Sequence, residues 1–181
     1  EESREPYRTK IETIRTALSA NPNSGYAWLD LALLYRAIGD FESAAEIWEY
    51  MIVKYPGDFT AQRNLAEYNF HNLKDYDRAE ELYRKAIEAD PAQIICYTDL
   101  FEMYYYATKD NEKAVAILEE GIPKVARDQS IGLYIMLANF YRDQGDTAEA
   151  RTSLNKAREI AVEFKMTSAR DAIDAELARL R

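Results

Sequence analysis

The sequence has one cysteine, Cys96, and one histidine, His71. A lone thiol excludes an internal disulfide and any CxxC metal or redox motif. A lone imidazole excludes a His dyad, an HExxH helix and a multi-histidine metal site. The phosphate and nucleophile signatures GxGxxG, GxxxxGKS/T and GxSxG are missing as well. Basic residues are too few to balance the acids, 23 against 32, for a net charge of −9 and a pI near 4.8. That balance argues against nucleic-acid binding, which needs clustered Lys and Arg, and against docking on an anionic membrane surface. No apolar run approaches the ~18–20 residues of a membrane span, and no secretory signal is visible. The chain opens on Glu1 rather than Met. The expectation is a soluble segment, cytoplasmic or tethered through an upstream signal or anchor that has been removed.

Glycine and proline are also scarce, six and five in 181 residues, and they stand between periodic segments. Ala44, Ala79, Ala114 and Ala150 lie 35, 35 and 36 residues apart. Trp48, Tyr83, Leu118 and Leu154 keep the same spacing, as do Met51, Ala86, Gly121 and Ala157. A period in this range marks stacked helical hairpins and an all-α chain.

Within the first repeat, Trp28, Leu31, Ala32 and Tyr35 recur at three- and four-residue steps, which predicts a helix A over 25–38. Gly39-Asp40 reads as a turn, with Asp40 capping a helix B over 41–55 that stops before Pro56. The other repeats carry Leu65, Ala66 and Asn69, then Tyr97, Leu100 and Tyr104, then Tyr134, Leu137, Ala138 and Tyr141. Repeats two and three lack the turn glycine and are one residue longer there. Repeat two has no aromatic at the Trp28 position, and repeat three places Phe101 where a small residue is usual, which predicts a slight spreading of its helices.

Residues 6–20 read as a lone helix B with Ile11, Ile14, Ala17 and Leu18 on one face. At the other end, Thr167 or Ser168 is expected to cap a last helix whose stripe is Ile173, Leu177 and Leu180. The predicted organisation is 1–22 as an N-terminal half repeat, 23–164 as four repeats (about 25–58, 59–93, 94–128 and 131–164) and 165–181 as a capping helix.

Catalytic chemistry finds little support. His71 reads as a solvent-facing turn residue and Cys96 as a half-buried packing residue on the first turn of a helix A. The carboxylates Glu42, Glu46 and Glu49, or Glu80, Glu81 and Glu88, sit at helical spacing beside Lys or Arg, as on a solvated face. No enzyme activity and no cofactor are expected. Tyr26, Tyr105 and Tyr106 fall outside the core positions and are candidates for a working surface.

The pattern Trp28-x2-Leu31-Ala32-x2-Tyr35, with Ala44-x3-Trp48 and Pro56, resembles the tetratricopeptide repeat signature over nearly the whole chain. The resemblance implies a right-handed α-solenoid of helical hairpins. It also implies a concave groove lined by helix A residues that takes an extended or helical partner segment. Carried over by repeat position, the groove would show Tyr26, Leu29, Asp30, Leu33 and Arg36. It would continue with Arg63, Asn64, Glu67 and Phe70, then Ile95, Thr98, Asp99, Glu102 and Tyr105, and finally Ile135, Met136, Asn139 and Arg142. Phe70, Tyr105 and Arg63 would be the strongest anchors. One subfamily grips a C-terminal carboxylate with a Lys/Asn/Lys/Arg clamp; here Leu29, Leu33, Ile95 and Asp99 replace its key residues and only Asn64 matches. The expected function is a non-catalytic scaffold for a protein or peptide with apolar anchors and modest positive charge. The alternatives are a self-assembling structural protein and the soluble module of a membrane-tethered assembly factor.

Overall fold

The computed structural model describes residues 5–180. Every regular element among them is helical: α1 (Glu5–Ala20), α2 (Gly25–Ala37), α3 (Phe41–Lys54), α4 (Phe59–Tyr68), α5 (Tyr76–Ala89), α6 (Ile94–Glu102), α7 (Asn111–Gly121), α8 (Ser130–Asp143), α9 (Thr147–Glu163) and α10 (Thr167–Arg179). Two π-helical runs, Asn69–Leu73 and Met103–Thr108, prolong α4 and α6. The chain divides into two compact units, Glu1–Asp90 and Pro91–Arg181. The first holds α1 to α5 and the second α6 to α10.

In both units the periodic residues form the core. Ala44, Trp48 and Met51 on α3 and Ala79, Tyr83 and Ala86 on α5 have no exposed surface. Ala114 and Leu118 on α7 and Ala150 and Ala157 on α9 are likewise fully buried. Small residues at the crossing points let helices approach, and the large ones fill the space beside them. The approach is tightest at Gly121, where an added Cβ would stand 2.7 and 2.9 Å from carbons of the Tyr97 ring. Cys96, expected to be half-buried, is fully enclosed on the same helix as Tyr97. Phe101 is also buried and stacks on Tyr105 with centroids 5.5 Å apart.

The turns between paired helices share one construction. Asp40, Asp75, Asp110 and Asp146 each accept, on a side-chain oxygen, the backbone N–H three residues on, at 3.0–3.1 Å. The N–H of each aspartate returns to the carbonyl of Tyr35, Asn69, Tyr104 or Tyr141, at 2.8–3.0 Å. Those four residues occupy one repeat position. In the first and last of these turns the return spans five residues, and Gly39 (φ +85°) or Gly145 (φ +80°) takes the left-handed conformation, as in a Schellman closure. The two middle turns have one residue more. The helix there widens to π-type winding, and Lys74 and Lys109 (φ 58° each) adopt the left-handed conformation instead. The extra residue is absorbed, and the same backbone bond closes the turn.

A second contact repeats at the other end of helix A. The Trp28 indole N–H donates to Pro22 O at 2.9 Å, the Gln62 amide to Pro56 O at 3.1 Å, and the Tyr97 hydroxyl to Pro91 O at 2.9 Å. Gln62 thus fills the place where the sequence lacks an aromatic. That position calls for a donor that reaches back six residues, whatever carries it. Lys54 also donates to Pro22 O, at 2.7 Å, and the Tyr50 hydroxyl beside it holds its ammonium above the usual lysine range.

Two local expectations are corrected. Ala17 is exposed, because α1 docks on Leu31 through Ile11 and Leu18, seven residues apart on one narrow stripe. Neither Thr167 nor Ser168 caps α10; Met166 holds the N-cap position with no side-chain hydrogen bond. Lys165 (φ 57°) closes α9, and the Met166 N–H already reaches Ala161 O at 2.8 Å, so the chain re-enters helix at Thr167. Ile173 of α10 is buried with Leu154, Ala157 and Ala161, and Leu177 and Leu180 pack beside it. Residues 1–4 of the predicted 1–22 segment and residue 181 lie outside the described residues.

Gly121→Ala should lower stability by about 1–3 kcal/mol, because the Tyr97 ring has no flexible end to yield. Lys109→Gly should raise it by about 0.5–1 kcal/mol by relieving a left-handed non-glycine residue. Urea unfolding of the two variants checks both signs.

Candidate functional site

The helix A positions of the first unit lie on α2 and α4. Tyr26 opens α2 and is 87% exposed, the most solvent-accessible large apolar side chain among the described residues. Leu29, one turn on, is half-buried and shares with Tyr26, Tyr55, Phe59 and Thr60 an open pocket of about 630 Å³. Asp30 is exposed and Leu33 half-buried.

Arg36 leads away from that pocket into an ionic cluster. Its guanidinium donates to Glu67 at 3.1 Å and to the Asn64 side-chain oxygen at 3.4 Å, while Arg63 donates to the other Glu67 oxygen at 2.9 Å. Helical spacing aligns Arg63 with Glu67 on α4, and hairpin packing brings Arg36 from α2. Two cations share the Glu67 carboxylate. Asn64, expected to face a partner, is only 3% exposed. Tyr68 lies nearby; burial and then the Glu42 carboxylate push its phenol above the ordinary tyrosine range.

Phe70 was expected as an anchor and is buried, 8% exposed, against Tyr76 and His71 (centroids 6.0 and 4.1 Å). Arg36, Phe70, Tyr105 and Arg142 share one repeat position. The two arginines, on helices that end in a glycine turn, are exposed; Phe70 and Tyr105, inside π segments, turn inward. His71 beside Phe70 is exposed, as expected.

In the second unit, the Thr98 hydroxyl donates to Ile95 O at 2.9 Å, Asp99 is half-buried, and Glu102 is exposed. Tyr105 packs among Phe101, Tyr106 and Phe140, and its hydroxyl donates to Asp143 at 3.2 Å. Burial and then Asp143 hold its phenol above the ordinary range. Tyr106 next to it is 61% exposed. Ile135, Asn139 and Arg142 on α8 line a narrow cleft closed by Glu176 and Leu180, with Arg142 3.6 Å from Glu176. The α10 segment therefore covers part of the face that repeat four would offer, and Met136 is half-buried.

On the helix B side, Glu81 bonds Lys85 at 2.7 Å and Arg78 at 2.6 Å, and these partners hold its carboxyl below the usual range. Among the described residues no group of His, Cys, Asp and Glu side chains could hold a metal ion. No helix among them is long and apolar enough to cross a membrane.

Two family profiles, both described as tetratricopeptide repeat, match the sequence, one over residues 11–59 and 29–94 and the other over 131–161. A search of the curated proteins finds no match. Among solved structures, MamA is similar over 90% of this chain and 96% of its own, with 23% identity and a TM-score of 0.67. PilW, described as a widely conserved type IV pilus biogenesis factor, matches over 94% of this chain and 84% of its own at 20% identity and a TM-score of 0.62. Yeast Tom70 matches over 95% of this chain but 37% of its own, at 18% identity and a TM-score of 0.66. At these identities the likeness is one of fold, the α-solenoid of helical hairpins.

Glu67→Gln should cost about 1 kcal/mol, because it leaves Arg36 and Arg63 facing each other without their shared carboxylate. The loss should shrink at about 1 M salt, where like-charge repulsion is screened. Urea unfolding at low and high salt measures it.

Proposed function

The chain belongs to the tetratricopeptide repeat family, whose members bind proteins or peptides, and on that premise we propose that it is a non-catalytic scaffold that holds a partner segment on its helix A face. The observation that carries this reading is Tyr26. A phenol ring 87% exposed, beside half-buried Leu29 at the mouth of a wide open pocket, does nothing for the fold. Large exposed aromatic side chains of this kind serve as interface anchors. Leu33 continues the apolar surface along α2, and Tyr106 with half-buried Tyr105 gives the second unit an aromatic patch of its own. Asp30 and Glu102 lie exposed on the same helix A faces, whereas Arg36 and Arg63 are engaged with Glu67. A segment with apolar anchors and modest positive charge fits that distribution.

Self-association is the second reading, and one observation favours it. Val162, Phe164 and Met166 are exposed together around the turn between α9 and α10.

Affinity capture from the source cell with the natural sequence and with a Tyr26→Ala, Leu29→Ala version tests the proposal. A captured protein should lose at least about tenfold in retention with the double variant, roughly 1.4 kcal/mol. Equal recovery by both baits would place binding elsewhere, and recovery of the bait alone would favour self-association.

A further inference from the structure

The open pocket beside Tyr26, about 630 Å³ and wholly within the first unit, is acidic as well as aromatic. Among the described residues its lining holds two carboxylates, Asp58 and Asp90, and no lysine, arginine or histidine. Asp58 is the N-cap of α4 and accepts the Thr60 N–H at 2.8 Å; Asp90 is the C-cap of α5. Both are half-buried, so water and salt screen their charges less than those of a fully exposed pair. Two helices start at the pocket, at Gly25 and Phe59, and two end at it, at Tyr55 and Ala89. The partial charges of starts and ends oppose one another, so the two aspartates decide the sign of the site.

Three rings, those of Tyr26, Tyr55 and Phe59, stand around the same space. The negative face of such a ring attracts a cation within about 6 Å. The chain itself shows that attraction here: the Lys54 ammonium stands 5.7 Å from the centre of the Tyr55 ring. That ammonium is held by Pro22 O and the Tyr50 hydroxyl at 2.7 Å each and is not among the lining groups, so it does not fill the pocket. Asp30, four residues from Tyr26 on the same face of α2, adds a third carboxylate, and it is exposed. At ~30 Å³ for each water of the liquid, the space equals about twenty waters, room for an entire long side chain.

We infer that this pocket receives a basic side chain of the partner segment, arginine before lysine, with its charge drawn by Asp58 and Asp90 and its flank laid on Tyr26. The inference rests on the partner-segment reading above and gives the segment's positive charge a definite place. Arginine is preferred because its planar guanidinium stacks on aromatic rings and is less strongly hydrated than an ammonium.

The test uses the whole chain, 15N-labelled and at low ionic strength, with acetyl-arginine amide as the probe and acetyl-citrulline amide as its neutral isostere. Gly25 and Gly57 line the pocket, and their backbone N–H signals report on it. Gly39 and Gly145 are the controls, because each precedes a capping aspartate, Asp40 or Asp146, and neither lines this pocket. Acetyl-arginine amide at about 50 mM, enough for the millimolar affinity of a single contact, should move Gly25 and Gly57 saturably and leave Gly39 and Gly145 in place. The citrulline probe should move none of the four. Asp58→Asn combined with Asp90→Asn should weaken the response about fivefold, as expected for two partly exposed ion pairs. Asparagine caps a helix as well as aspartate does, so α4 keeps its start in that variant. Tyr26→Ala should weaken the response about threefold. The inference is overturned if Gly25 and Gly57 stay in place, if the citrulline probe moves them equally, if all four glycines move alike, or if the asparagine pair responds like the natural sequence. A partner captured through Tyr26 and Leu29 with no arginine response would leave the scaffold reading intact and remove this inference alone.

Discussion

The return of the aspartate N–H to a fixed carbonyl on helix A is the constraint on which the hairpins depend. That bond sets where helix B begins, and the aspartate side chain then caps it. With the start of helix B fixed, Ala44, Ala79, Ala114 and Ala150 each arrive at a crossing point with no exposed surface. A displaced cap would rotate the whole apolar face of the following helix, since helical side chains keep their stripe only in register. The two middle turns show how firmly the constraint holds. Given one residue too many, the backbone changes its winding and puts a lysine in the left-handed conformation rather than move the aspartate.

Much of this architecture was legible in the sequence because it rests on residue type at fixed intervals. The alanine ladder, the turn glycines at 39 and 145 and the aspartate caps each have a local chemical reason that a sequence displays. The proline contacts were half legible. Trp28 and Tyr97 could be read as aromatic core residues, which hid the hydrogen bond that Gln62 makes in their place. Sequence reasoning counted Gln62 as a departure, whereas the fold uses it as an equivalent.

The candidate site was less legible, for a physical reason. Repeat position says where a residue stands along a helix and not what packs over it. Phe70, at the position where Arg36 is exposed, packs on Tyr76 and His71. Asn64 matched a family position by type, but Arg36 comes from another helix to meet it, and no spacing within one helix reveals that.

The π-wound joints have a consequence for how such a chain tolerates change in length. A rigid helical junction passes an inserted residue on as a rotation of everything downstream, so most insertions in stacked repeats are ruinous. Here the slack is taken up within one turn, and Asp75 and Asp110 keep their backbone bonds to Asn69 and Tyr104. The ends of α4 and α6 behave as expansion joints: places where the chain has already absorbed an insertion and where the surface, rather than the stack, records it.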